Sequence, residues 1–236
     1  MEQVSSEVTT DDETVLDLAQ TSVRDINAAL HSPDVSGSYT IVNPAGAHNL
    51  AVGLDAPVRV QIAGHVGYYA AGMNQRADVT IDGNAGVGVA ENMMSGTVIV
   101  KGNASQSAGA TAHGGLLAIE GDAAARCGIS MKGVNIVVGG NAGHMSAFMA
   151  QSGTLVVRGD VGDALGDSIY EARIYVRGAV ASLGADCIAK TMTDEHHAEL
   201  AALLKEAGYS DDTSTYTRYG SGRTLYHFHS DNSDAY

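Results

Sequence analysis

Aliphatic residues return in pairs, two positions apart, at a fixed interval of 19 residues along most of the chain. Ile62, Ile81, Val100, Ile119, Val138, Val157 and Val176 form one column, and Val60, Val79, Val98, Leu117, Ile136, Leu155 and Ile174 form the other. Two residues after each pair stands a glycine: Gly64, Gly83, Gly102, Gly121, Gly140, Gly159 and Gly178. A spacing of two is the strand period, so both aliphatic residues share one face and the glycine marks the turn that ends the strand. Nineteen residues are too few for a strand, a crossover helix and a return. They fit one coil of a parallel β-solenoid, in which equivalent positions stack ~4.8 Å apart. The pattern therefore predicts an all-β solenoid, a parallel β-helix of about seven regular 19-residue coils, roughly 34 Å long.

Further columns agree. Two residues after the glycine come Val66, Ala85, Ala104, Ala123, Ala142, Val161 and Val180, all small and apolar, followed by the equally small Gly67, Gly86, Ser105, Ala124, Gly143, Gly162 and Ala181. Small side chains are expected where backbone bends inside a narrow coil. Directly after the glycine stand His65, Asn84, Asn103, Asp122, Asn141, Asp160 and Ala179. Asn and Asp tolerate left-handed turns and can bond neighbouring backbone.

Outside the repeat the organisation changes. Residues 1 to about 14 are polar and acidic with nothing periodic to bury, which reads as an arm. From Thr21 a short helix is expected, capped by Ser22, with Val23, Ile26 and Leu30 on one face, as a plug for one end of the solenoid. The stretch from Tyr39 to Leu54 is a degenerate first coil that misses the repeat register. A second helix is predicted from Thr193 through Ala207, with Leu200, Leu203 and Leu204 inward and Gly208 as its stop; it could cap the opposite end. The tail carries Tyr209, Tyr216, Tyr219, Tyr226 and Tyr236 and reads as an aromatic strap, lying either on its own solenoid or on another subunit. This gives three segments: residues 1–38, arm and short helix; 39–190, the β-helix; 191–236, helix and extended tail.

Alternation turns the residues one and three before each glycine outward. The nearer column contains Asp82, Lys101 and Glu120, a ladder of alternating charge, then Arg158 above Arg177. Like charges on adjacent coils repel unless a carboxylate sits between them, and Asp160, Asp163 or a partner subunit could supply it. The farther column runs Gln61, Thr80, Ile99, Ala118, Val137, Val156 and Tyr175, apolar over its last five positions. An apolar stripe facing outward needs a cover, either the chain's own helices and tail or another subunit. Ile99, Val137, Val156, Tyr175, Arg158 and Arg177, with Tyr219, Arg223 and Tyr226 of the tail, are thus the candidate subunit contacts. On that reading, an Asp at Val156 combined with charge reversal at Arg158 weakens assembly and leaves the chain folded.

Composition narrows the possible partners. A net charge of −14 argues against nucleic acids and anionic membranes as partners, each of which calls for clustered Lys and Arg. The amino terminus lacks a signal peptide's basic start and apolar middle, and no apolar stretch is long enough to span a bilayer, so a cytoplasmic protein is expected. Cys127 and Cys187 are too few for a disulfide framework and read as buried thiols. His65, His113 and His144 fall in different columns, and the pair His227 and His229 lacks a third ligand, so no metal site is expected. Glycine spacings follow from the repeat and do not make a phosphate-binding loop. Neither a nucleophile elbow nor a redox cysteine pair is present, and no catalytic or cofactor-binding residue is assigned.

The segment Gly-Asn-Ala-Gly-Val-Gly-Val-Ala-Glu-Asn-Met-Met-Ser-Gly-Thr-Val-Ile-Val-Lys-Gly at 83–102 resembles the Gly-x-Gly-x-Gly (GXGXG) domain that closes the large subunit of glutamate synthase. Ala-Arg-Cys-Gly-Ile-Ser-Met-Lys-Gly at 125–133, Gly-His-Met-Ser-Ala-Phe-Met-Ala-Gln-Ser-Gly at 143–153, Gly-Asp-Ala-Leu-Gly-Asp-Ser-Ile-Tyr-Glu-Ala at 162–172 and Arg-Tyr-Gly-Ser-Gly-Arg-Thr-Leu-Tyr at 218–226 are similar to the β-helix subunit of the N-methylglutamate synthase (methylamine-glutamate N-methyltransferase) family. The resemblance implies a right-handed β-helix. It further implies a non-catalytic subunit that joins an amidotransferase-like subunit to a synthase subunit carrying FMN and an iron–sulfur cluster. The reaction implied converts methylamine and glutamate to N-methylglutamate and ammonia. Similar stand-alone domains also serve as the β-helix subunits of formylmethanofuran dehydrogenase and of the formyltransferase/hydrolase complex, the alternative assignment.

Overall fold

The computed structural model describes residues 13–223. Strands β3 (Arg59–Ile62), β4 (Asp78–Ile81), β5 (Thr97–Val100), β6 (Leu116–Ile119), β7 (Lys132–Val138), β8 (Ser152–Val157) and β9 (Arg173–Val176) stack in parallel and in chain order. Repeat positions pair with their equivalents: Val79 lies opposite Val98, and Leu155 opposite Ile174. The chain is the parallel β-solenoid that the repeat predicts. All fourteen residues of the two inward columns are buried in one continuous core. Burial of each such side chain contributes about 1.5–3 kcal/mol.

The first coils depart from the repeat. Strand β2 (Ser38–Val42) sets Thr40 against Gln61, and β1 (Glu13–Asp17) sets Val15 against Thr40, both at wider intervals than the later coils. Glu13 and Thr14, expected in a non-periodic arm, are therefore part of the sheet. Helix α1 (Val23–Leu30) buries Ile26 and Leu30 at this end. Ser22 Oγ accepts from the Asp25 amide at 3.2 Å and caps the helix. Asn27 fastens α1 to the next coil: its Nδ2 donates to Asn49 O at 2.7 Å, and its Oδ1 accepts from the Ala51 amide at 2.9 Å.

The column after the turn glycine is a second ladder. Asn103 Oδ1 accepts from the Asp122 amide at 2.8 Å, Asp122 Oδ1 from the Asn141 amide at 2.7 Å, and Asn141 Oδ1 from the Asp160 amide at 2.8 Å. None of these residues has positive φ, so their use is backbone bonding between coils and not left-handed turning. Asn103→Ala is expected to cost about 1 kcal/mol, the net value of one such bond, measurable by urea denaturation.

A third wall has an unusual backbone. In seven consecutive coils the residues five, seven and nine positions after the turn hold φ between 52° and 71°, among them Tyr69, Ala71 and Met73. Most are not glycine, and left-handed backbone is unfavourable for L-residues by roughly 1–2 kcal/mol each. Hydrogen bonds between coils offset that cost: the Tyr69 and Met73 amides donate to Val87 O and Glu91 O on the following coil, and Ala71 donates back to Leu50 O. The central position of the three is filled only by Ala51, Ala71, Ala90, Gly109, Gly128, Ala147 and Gly166. It lies against the core, where a β-carbon on Gly109 would come 2.7 Å from Ile136 Cδ1.

At the far end β9 is continued by β11 (Thr217–Ser221), antiparallel, and then by β10 (Cys187–Lys190). These strands finish the stack, the role the sequence suggests for the second helix.

Candidate functional site

The outward face of β3–β9 divides into a covered half and an open half. Helix α2 (Asp194–Glu206) lies over the apolar part of the stripe, with Leu200, Leu203 and Leu204 packed on Leu116, Ala118, Val137, Val156 and Tyr175. The cover is the chain's own. The helix sits on the side of the coil and not on its end, because the side is where an apolar column needs burial. Val137, Val156 and Tyr175 are fully buried, so they offer no surface to a subunit while α2 is in place; Ile99 remains half-buried at the margin. An Asp at Val156 would thus disrupt the chain's own fold.

Two carboxylates secure this cover. Glu199 on α2 accepts from Arg173 Nη1 and from Tyr175 Oη, each at 2.6 Å. Burial opposes its ionisation, but the bonds from Tyr175 and Arg173 hold its carboxyl below the ordinary range. Asp211, beyond the helix, accepts from Arg158 Nε at 2.6 Å and Nη2 at 2.9 Å, from Arg177 Nη1 at 3.1 Å and from Tyr216 Oη at 2.7 Å. Asp211 is therefore the carboxylate that the stacked arginines share, and among the described residues neither Asp160 nor Asp163 pairs with them. Tyr209 covers Arg158 from the other side, with its ring centroid 3.8 Å from the guanidinium carbon.

Asp211→Asn is expected to destabilise the chain by about 2–3 kcal/mol, since it leaves two adjacent guanidinium groups without their shared anion. The Arg158 hydrogen bonds lead the causes that hold the Asp211 pKa at about 2, below its ordinary 3.8. A depressed carboxylate pKa stabilises the folded state above 3.8, and the contribution is lost as pH falls from there towards about 2. Urea midpoints measured across that window should converge for wild type and Asp211→Asn at the acid end.

On the open half, Arg59, Gln61, Asp78, Thr80, Ile99, Lys101 and Glu120 line a groove of about 590 Å³, with Glu13 and Tyr39 at its β1–β2 side. Lys101 Nζ bonds Asp82 at 2.7 Å, and the nearby charge of Glu120 also favours its protonated form, so the predicted charge ladder forms. A second pocket, of about 370 Å³, lies between β9 and the terminal strands and is lined by Arg173, Lys190 and Arg218.

The left-handed wall carries the larger exposed apolar residues Tyr68, Met73, Val87, Met94 and Met149, with Tyr68 stacked on His48. Sequence reasoning overlooked this surface. The signal that could have found it is the Gly/Ala-only column seven residues after each turn, which dictates the wall's geometry.

Of the remaining candidates, Tyr219 is half-buried against the core and Arg223 pairs with Asp186. Tyr226, Tyr236, His227 and His229 lie outside the described residues. Cys127 and Cys187 are both buried free thiols, and burial pushes their pKa values up to about 12 and about 11. Among the described residues no three His, Cys, Asp or Glu side chains converge as metal ligands, and no helix is long and apolar enough to cross a membrane.

No protein-family model matches the chain. A curated protein, "Protein GlxC" of Rhizobium meliloti (strain 1021), is 59% identical over 226 residues, which span 94% of this chain and 99% of that protein. With identity of that order over nearly the full length of both sequences, the chain belongs to the same family as Protein GlxC.

Proposed function

We propose that the chain is the structural β-helix subunit of a glutamate-synthase-like complex of the N-methylglutamate synthase type. In this reading it joins an amidotransferase-like subunit to a synthase subunit that carries FMN and an iron–sulfur cluster. The complex converts methylamine and glutamate to N-methylglutamate and ammonia, with the chemistry on the partner chains, and it works in the cytoplasm. The observation that carries the reading is the left-handed wall. The segments at 125–133, 143–153 and 162–172, similar to that family, run along it on three successive coils. They include residues whose side chains the core does not require, such as the exposed Arg126, His144 and Met149. Exposed apolar residues grouped on one wall are the pattern of a surface used for contact.

The wall then takes the joining role that the stripe under α2 cannot take. Its exposed methionines, Met73, Met94 and Met149, are adaptable apolar contacts. Affinity capture of the tagged chain from its native cytoplasm, with mass spectrometry and an absorbance spectrum, tests the proposal. An amidotransferase-like chain recovered together with flavin and iron–sulfur absorbance is the expected result, and Met149→Asp should reduce that recovery. Capture of formyl-transfer subunits would transfer the assignment to the formylmethanofuran-type complexes. A colourless chain purifying alone would overturn it.

A further inference from the structure

At the carboxy-terminal end of the solenoid, the sequence places cations face to face. Lys190 on β10 lies directly opposite Arg218 on β11 in an antiparallel pair. Like charges in that position are destabilising. Arg173, at the start of β9, joins them in the lining of the 370 Å³ pocket, together with Tyr170, Glu171 and Ser221. Three cations thus line a single pocket in a protein with 13 Lys and Arg against 27 Asp and Glu. In so acidic a chain, an anion is drawn to few places.

The pairing of these cations is incomplete among the described residues. Arg173 is matched by Glu199 at 2.6 Å. Arg218 Nη1 donates to Thr191 O at 3.1 Å, while its Nε is buried with no hydrogen-bond partner. Lys190 has no ion pair with any described residue. Burial first, and then the charges of Arg218 and Arg173, hold His196 below its ordinary pKa, which registers positive potential on this side of α2.

We propose that this pocket binds a small carboxylate anion, with Lys190 and the Arg218 guanidinium as its charged donors. Three cations against Glu171 and Glu199 leave a single surplus positive charge, which suits a monoanionic head better than a dianion such as phosphate. The volume suits a ligand of amino-acid size. A bound carboxylate also relieves the repulsion between Lys190 and Arg218, so occupancy and stability of the terminal strands are linked.

The test is titration of the full chain with sodium acetate, sodium glutamate, sodium phosphate and sodium chloride at matched ionic strength, read by calorimetry and by thermal midpoint. The expected result is saturable carboxylate binding with a rise in midpoint, weaker phosphate binding, and no saturable response to chloride. Lys190→Gln and Arg218→Gln should each weaken carboxylate binding by about tenfold. Lys190→Gln should in addition raise the midpoint in chloride alone, because it removes the like-charge pair, and lose the further rise with carboxylate. A variant that fails to fold is replaced by the other, since each carries the prediction. Absence of saturable carboxylate binding, preference for phosphate, or undiminished binding by Lys190→Gln overturns the proposal.

Discussion

Val156→Asp is expected to destabilise the chain by about 3–5 kcal/mol and to release α2 from the solenoid. Val156 is fully buried, flanked by Val137 and Tyr175 on the neighbouring strands and covered by the leucine face of α2. A carboxylate there has no cation within the apolar interface, so it must either bind a proton or lift the helix away. Urea denaturation reads the loss, and limited proteolysis reads new cleavage within residues 194–206. The half-buried Ile99 lies at the margin of the cover, and Ile99→Asp should cost less than half as much. Equal stability of Val156→Asp and wild type would mean that α2 is not seated on this face in solution.

Gly121→Val is expected to cost about 2–4 kcal/mol and to lower the thermal midpoint accordingly. The reason is crowding, as expected of a turn glycine stacked on its equivalents. Gly121 does not have positive φ, so its turn is open to other residues on torsional grounds. The obstacle is its neighbour on the preceding coil: a β-carbon would overlap Asn103 Oδ1 and come 2.8 Å from Gly102 O. Asn103 is held there because its Oδ1 accepts from the Asp122 amide, so yielding breaks a rung of the ladder, and Gly102 O is backbone. Gly37→Ala is the contrast, with φ of +81° and nothing within 4 Å of the added carbon. It should lose only the torsional strain, roughly 1 kcal/mol. If the two substitutions cost the same, close stacking is not what selects glycine at the repeat position.

Much of this architecture is legible in the chain because a solenoid stacks each position on its own equivalent. A column of Val and Ile, or of Asn and Asp, reports its environment seven times over, and that redundancy made the inward pairs and the small-residue corners readable. Helix α1 was readable from its cap and from Ile26 and Leu30, and α2 from Thr193, its leucines and Gly208, because these are local signals. The left-handed wall was written in the same redundant way, in the Gly/Ala column from Ala51 to Gly166, but that column has no amphipathic period and so resembles general smallness.

The candidate site was less legible. The stripe Ile99, Val137, Val156 and Tyr175 announced that it needs a cover, yet hydrophobic burial is non-directional, and a leucine-faced helix satisfies an open end or a lateral face equally well. Asp211 could not be singled out among 27 acidic residues, since ion pairing depends on where a long-range loop returns. The opposition of Lys190 and Arg218 required the antiparallel register of β10 and β11, which lies outside the repeat.

The sequence by itself determined the coil, its period, its inward face and its two helices, because each of these rests on spacing along the chain or on a neighbour one full period away. Only the tertiary structure decided that α2 lies on the side, that Asp211 bridges the arginines, and that three cations meet at the terminal strands. Those outcomes depend on contacts between segments that share no period, and there the choice among chemically equivalent partners is made by three-dimensional placement alone.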